Sequence, residues 1–315
     1  MNVGAAGARY LPFDGGHFRL SMGLIPLQRR EWIGIDDHLA SALAAKRTLL
    51  RTRHDQVFAV LPEALAAADE LLQMLAEHLV EHHPSVFCRD GERLLNLATG
   101  ENWSLALPRG SPSQLHPLDI AGRLVAEDFC LLMPDTAHPT QGYRLVGASL
   151  CSPSAWRLAD KIARPLGAIH QPVPGYVEKL ARPVDRLFAQ LKPDRLMGRF
   201  NWIVTDSPAA FRPFRPPIAT PGQGWNAGAE LWLRVERQTI QRLPMTGAIL
   251  FTIRTHITRL DAAIRTADNA SELAAAIREM PAATEHYRDI PPVVPALLDW
   301  LDRRAVEYAK LPASA

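Results

Sequence analysis

The sequence predicts an α+β fold: an antiparallel sheet with helices covering one face, flanked by helical regions at both ends. Three observations lead there. Strand-type runs bracket a helical block between about residues 120 and 260. Apolar residues recur at helical spacing before Pro84, and they do so again after residue 258. The 315 residues suffice for one large domain or two ordinary ones. With 47% apolar and 22% charged residues, the chain can bury a sizeable core.

Taken in order, the first helix runs through "HLASALAAKRTLLRTR", with Asp36 or Asp37 as its cap. The second starts near Pro62, with Glu63 in its first turn. Leu65, Ala68, Leu72, Leu75 and Leu79 form its apolar stripe, and Pro84 ends it. "EDFCLLM" (127–133) and "YRLVGASLC" (143–151) read as strands around the loop "PDTAHPTQG". Helical stretches follow at 154–169 and 175–191. "FNWIVTD" (200–206), a Pro/Gly-rich loop (207–228) and two long strands (230–243 and 247–257) complete the block. Pro244 to Gly247 supplies a hairpin-like turn. The last helices are "SELAAAIREM", capped by Ser271, and a second beginning at Pro295. Two strands, helices, then three strands is the connectivity of a PAS-like domain. The chain then divides into an N-terminal helical region (1–119), a PAS-like core (120–260) and a C-terminal helical region packed on it (261–315).

Several function classes are disfavoured. Net charge is +2 with no long basic run, whereas phosphate binding needs clustered Lys and Arg. Cys88, Cys130 and Cys151 show neither CxxC spacing nor a disulfide framework, so a reducing cytoplasm is expected. "MNVGAAGARYLPFDGG" lacks the charged and apolar regions of a signal peptide, and no apolar run reaches membrane-helix length. "GQGWNAG" (222–228) is not a nucleotide fingerprint, because it neither follows a clear strand nor opens a helix. "HLVEH" (78–82) matches an inverted zinc-protease motif, but no third ligand is convincing. A solvated helix end is the better reading.

The chemistry-bearing residues fall in the central block. "LGAIHQPVPGY" (166–176) puts His170 at a helix end just before a rigid Pro-x-Pro turn. A fixed, half-buried imidazole is a satisfied core group, a general base or a metal ligand. In the strand "LWLRVERQTIQRL", side chains alternate. Leu231, Leu233 and Val235 share one face, and Arg237 ends that row, as if aimed into a pocket. Trp232, Arg234, Glu236 and Gln238 share the other face, which reads equally well as exposed sheet with an Arg234–Glu236 pair. "RFNW" adds Arg199, Asn201 as a sheet-end polar contact and Trp202 as core. Asp160 and Lys161 read as surface or interdomain contacts.

Together, "EDFCLL", "W…DKI…PL…IHQPVPGY", "RFNW" and "RVERQTIQRLPMTGAILFTIRT" resemble the haem-dependent oxidative N-demethylase family, most strongly from about 127 to 257. Ala163 departs from the glycine expected after "DKI", and Ile240 stands where leucine is commoner. The resemblance implies a haem b cofactor and oxidative demethylation of a small secondary amine such as dimethylamine. Dioxygen and external electrons are consumed and formaldehyde is released. Separate flavin or iron–sulfur subunits supply electrons, and another handles formaldehyde. No nucleic acid or membrane partner is implied. His170 becomes the iron ligand, in preference to His116, His138 and His256. Arg237, across the pocket, serves dioxygen at the iron or a haem propionate, and Glu236 pairs with the substrate ammonium. Arg234, Asn201 and Trp202 complete the cofactor contacts. Strand alternation sets Glu236 and Arg237 on opposite faces, so the pocket face stays open. A haem-PAS gas or redox sensor and a haem-free scaffolding subunit are the alternatives.

Overall fold

The computed structural model describes residues 10–105, 115–214, 216 and 218–310. Its strands are β1 (Ile25–Leu27), β2 (Phe58–Val60), β3 (Phe87–Asp90), β4 (Arg93–Asn96), β5 (Glu101–Ser104), β6 (Asp128–Pro134), β7 (Tyr143–Ser149), β8 (Leu196–Thr205), β9 (Trp232–Arg242) and β10 (Ile249–Arg259). A seven-stranded antiparallel sheet runs β1-β8-β9-β10-β6-β7-β2. Its five central strands are those read from the sequence, and β10 lies beside β6 as PAS-like connectivity requires. The turn between β9 and β10 closes on Gly247, whose φ of 71° suits a residue without a Cβ.

Alternation along these strands gives the sheet two buried faces. On one face, Leu233, Val235, Trp202 and Val204 pack with the helices Ala267–Arg278 and Val294–Ala309. Further along that face, Phe129, Leu131 and Leu250 join the helices Leu65–His82 and Pro117–Leu124. The opposite face carries Cys130, Leu132, Leu145, Ile240 and Ile253. It lies beneath the block 154–191, which contributes Leu158, Leu166, Phe188 and Leu191.

Several local expectations need correction. The stretch 154–169 is not one helix. It keeps a 3₁₀ turn at Leu158–Asp160 and a short helix at Leu166–His170. Ala155 and Ala163 have positive φ, and Pro165 bridges to Arg144 instead of continuing a helix. The stretch 175–191 splits into Tyr176–Lys179 and Ala181–Gln190. The first helix is Leu39–Thr52, with His38 at its N-cap position. Asp36 accepts from the His38 amide at 3.0 Å and pairs with Arg254 at 3.0 Å. Thr266, not Ser271, caps Ala267–Arg278. Leu65 is about half exposed at 49%, so the apolar stripe effectively begins at Ala68. The N-terminal stretch also holds strands: β3, β4 and β5 form a separate three-stranded sheet.

"GQGWNAG" does open a single-turn helix, Ala227–Glu230, with Asn226 accepting from the Gly228 amide at 2.9 Å. Its glycine serves packing. A Cβ at Gly228 would come within 2.6 Å of the Trp300 ring. Among the described residues, no helix is long and apolar enough to cross a membrane.

Candidate functional site

His170 closes the helix Leu166–His170, and its carbonyl accepts from the Val173 amide at 2.8 Å in the following turn. Its ring stacks on Tyr176, with centroids 4.6 Å apart and planes 15° from parallel. Nδ1 lies 3.0 Å from the Leu166 carbonyl oxygen. A carbonyl only accepts, so Nδ1 carries the proton and Nε2 presents a lone pair. Nε2 has no hydrogen-bond partner among the described residues. Burial pulls the imidazole pKa down to about 4; the Leu166 bond opposes this, while the charges of Lys161 and Arg199 reinforce it. The ring is therefore neutral at physiological pH. Lys161 makes neither a fully exposed nor an interdomain contact. It is half-buried and donates to the Ile169 carbonyl at 2.6 Å, bracing the same helix, while Asp160 pairs with Arg157 in solvent.

Register assigns the sheet residues to faces. Arg199 pairs with Gln238, Asn201 with Glu236, and Glu236 in turn with Thr255. Directly paired residues share a face, so Arg199, Asn201, Arg234, Glu236 and Gln238 lie on the face covered by the His170 block. Arg234 is buried. Its Nε is 3.3 Å from Glu236 Oε1, Nη1 donates to the Ala210 carbonyl at 3.1 Å, and Nη2 donates to the Ser152 carbonyl. The other Glu236 oxygen accepts from Gln238 Nε2 at 3.0 Å. Burial weakens Arg199's hold on its proton, while the charges of Glu236 and Tyr176 strengthen it. Burial also pushes the Tyr176 phenol up to about 12, with Asp185 adding to the effect and Arg199 opposing it. Arg199, Glu236, Tyr176 and His170 thus form one electrostatic group.

Arg237 lies on the other face of β9, so the expectation that it sits across a pocket from His170 is corrected. It is buried there, and its guanidinium donates to the Trp32 carbonyl at 3.1 Å and to the Glu31 carbonyl. A backbone turn satisfies the charge. Trp202 is also on that face, edge-on to Phe13 at 5.4 Å and beneath the Arg288 guanidinium at 5.0 Å. Arg199, Asn201 and Trp202 all line a cavity of about 380 Å³ beside β8.

The other histidines are occupied elsewhere. His116 caps Pro117–Leu124, His138 pairs with Asp135 at 3.6 Å, and His256 packs edge-on to Tyr10. "HLVEH" is not a solvated helix end. His78 is buried among Trp32, His82 and His83, with ring centroids 4.6–5.8 Å apart. Burial pulls its pKa down to about 3, with His82, His83 and Arg29 adding to the effect. Among the described residues, no group of three or more His, Cys, Asp or Glu side chains is placed to hold a bare metal ion.

A haem brings its own equatorial nitrogens and asks the protein for an axial ligand, a covered pocket and partners for its anionic edge. The residues present fit two parts of that requirement, the axial ligand and the polar partners. His170 offers the lone pair of a neutral, oriented imidazole. On the sheet face beneath the block, Arg199 Nε and Gln238 Oε1 are buried without a hydrogen-bond partner among the described residues. Buried polar atoms are rarely left unpaired. Sequence reasoning named Arg199 but gave it no role, because the helix that meets it is remote in the chain. A model of the family described as haem-dependent oxidative N-demethylase, alpha subunit-like, matches residues 23–298, which takes in every residue of this site. The chain belongs to that family.

Proposed function

We propose that this chain is the haem-carrying subunit of an oxidative N-demethylase. His170 is its iron ligand, and the even-numbered face of β9 is the floor of its site. The observation that carries the reading is His170 itself: neutral, oriented through Nδ1, with Nε2 unshared. Bound haem supplies the oxidising chemistry at a substrate methyl group. The overall change balances as one N-methyl amine, one O₂, two electrons and two protons giving the shortened amine, formaldehyde and water. No flavin or nicotinamide motif stands in this sequence, so the electrons come from separate reductase subunits, and another partner handles formaldehyde.

The chain's own residues bind, orient and exclude water. Glu236 accepts the amine N–H, held in place by Arg234 and Gln238. Tyr176 stacks on His170 and limits rotation of its ring. The apolar residues of the block, Leu166 and Leu158 among them, keep bulk water from the reacting methyl group. The amine is small and secondary, of the dimethylamine kind. The three cysteines are free thiols, two of them buried, which suits a reducing cytoplasm. The three-part division at about residues 119 and 260 belongs to the same proposal.

The test is reconstitution with haem, followed by amine-dependent oxygen uptake with an artificial reductant and formaldehyde assay. Haem binding with turnover supports the enzyme. A Soret band without amine-dependent uptake makes the chain a haem sensor, and failure to take up haem makes it a scaffold.

A further inference from the structure

β1 pairs with β8 only from Leu196 to Gly198. Beyond that point β8 has β9 on one side, and the chain segment 11–25 runs beside its other edge. Between them lies the cavity of about 380 Å³, within the range of small-molecule sites. It far exceeds what a dimethylamine-sized ligand fills. Its charge is lopsided: Arg19, Arg199 and Arg288 line it against one carboxylate, Glu272. Arg288 lies over two rings, Trp202 at 5.0 Å and Phe18 at 5.3 Å. Arg199 is different. It is partly buried, and its Nε, which is fully buried, has no acceptor among the described residues. In the sheet it pairs with Gln238, on the face that also carries Glu236.

We propose that this cavity binds a carboxylate, with Arg199 as its anchor. A guanidinium presents a planar fork that matches a carboxylate bidentately, and burial strengthens the bond. Phe18, Leu20 and Trp202 supply apolar walls for the carbon skeleton of such an acid. The carboxylate has two chemical sources: a propionate of the haem, or an N-methylated amino acid as the amine substrate. The second source rests on the demethylase reading. The pocket itself does not.

The experiment uses the full chain, haem-loaded and haem-stripped, as wild type and Arg199→Gln. Calorimetry compares N,N-dimethylglycine, its uncharged methyl ester and dimethylammonium chloride, and a separate titration measures haem affinity. The expected result is that wild type binds dimethylglycine at least tenfold more tightly than the ester or the simple amine, in one or both forms, and that Arg199→Gln loses this preference. A preference kept in the haem-loaded protein assigns the site to the substrate. A preference lost on haem loading, with haem affinity at least tenfold weaker in Arg199→Gln, assigns it to a propionate. If Arg199→Gln does not fold, the acid-against-ester comparison on wild type decides alone. No carboxylate preference in either form, with haem affinity unchanged in a folded variant or no such preference in wild type where the variant is lost, overturns the proposal. Carboxylate binding without amine-dependent oxygen uptake supports the pocket and overturns the demethylase reading instead.

Discussion

Of the three arginines of β9, Arg234 and Arg237 lie on opposite faces and do opposite things. Arg237 follows Leu231, Leu233 and Val235 in an apolar row, and its guanidinium is taken up by the carbonyls of Glu31 and Trp32. Arg234 sits among Glu236 and Gln238, and their face meets the block 154–191, in which the helix Leu166–His170 ends in an oriented imidazole. A charge at the end of an apolar row reports only that something accepts it. Here the acceptor is backbone, which makes Arg237 a strut. Buried atoms without a partner among the described residues occur on both faces, Arg199 Nε and Gln238 Oε1 on one and Gln241 Nε2 and Arg254 Nε on the other, so it is the oriented imidazole of His170 that favours the Arg234 face as the proposed site.

The largest expected effect separates the faces by cofactor. His170→Ala removes the only imidazole that the block offers to the sheet, and a haem without a covalent tether depends on its axial bond and packing. Reconstituted protein is expected to lose its normal Soret band or release haem in gel filtration, while far-UV circular dichroism stays near wild type. A band of unchanged position and intensity would remove His170 from the role and with it the assignment of the face.

Next come the two arginines themselves. Arg234→Leu strands Glu236 and two carbonyls, and breaking a buried ion pair costs about 3–5 kcal/mol. Arg237→Leu leaves two backbone carbonyls without their donor, at about 1–3 kcal/mol. Chemical denaturation should rank them in that order. Arg237→Leu that still folds is expected to bind haem and support turnover like wild type, whereas Arg234→Leu should disturb both. Lost turnover in a stable, haem-loaded Arg237→Leu would bring that residue back to the site.

Acid should reach the two faces through different histidines. The folded pKa of His170 is about 4, below the ordinary 6.5, so the folded chain binds fewer protons between those values. Its contribution is complete above about pH 6.5 and is lost as pH falls towards 4. The same sign holds for His78, whose window extends to about 3. Haem retention is expected to stay flat from pH 8 to about 5 and to fall near 4. A release midpoint near 6.5 would mean that the His170 ring is not desolvated. His78→Gln should reduce the acid loss of stability and leave the haem midpoint where it was.

Alternation and turn residues made the five central strands legible, together with the hairpin at Gly247 and the place of His170. What stayed hidden depended on remote chain. The acceptors of Arg237 come from residues 205 and 206 positions earlier, and no strand pattern reports them. His78 looked solvated because Trp32, which covers it, belongs to a different segment. β3, β4 and β5 are four residues each, too short for periodicity to outweigh the helices around them. Asp90-Gly91 between β3 and β4 was the available signal.

The smallest expected effect lies in the block over the working face. Ala163 stands where the family pattern led us to expect glycine, and its φ is 63°. A left-handed backbone costs an L-residue with a Cβ roughly 1–2 kcal/mol, and glycine escapes that cost. The conformation persists because the Ala163 amide donates to the Leu145 carbonyl at 2.9 Å while the Leu145 amide donates to the Arg164 carbonyl at 3.1 Å, tying the block to β7. Ala163→Gly relieves the strain but gives the unfolded chain more freedom, so the net gain should be about 0.5–1 kcal/mol. Ala163 is exposed and touches no proposed ligand, so haem affinity and amine-dependent uptake should not change. Thermal denaturation of the haem-free protein reads the gain directly. A variant that gained stability but held haem less tightly would show that strain at Ala163 positions His170, and the block would then belong to the site along its whole length.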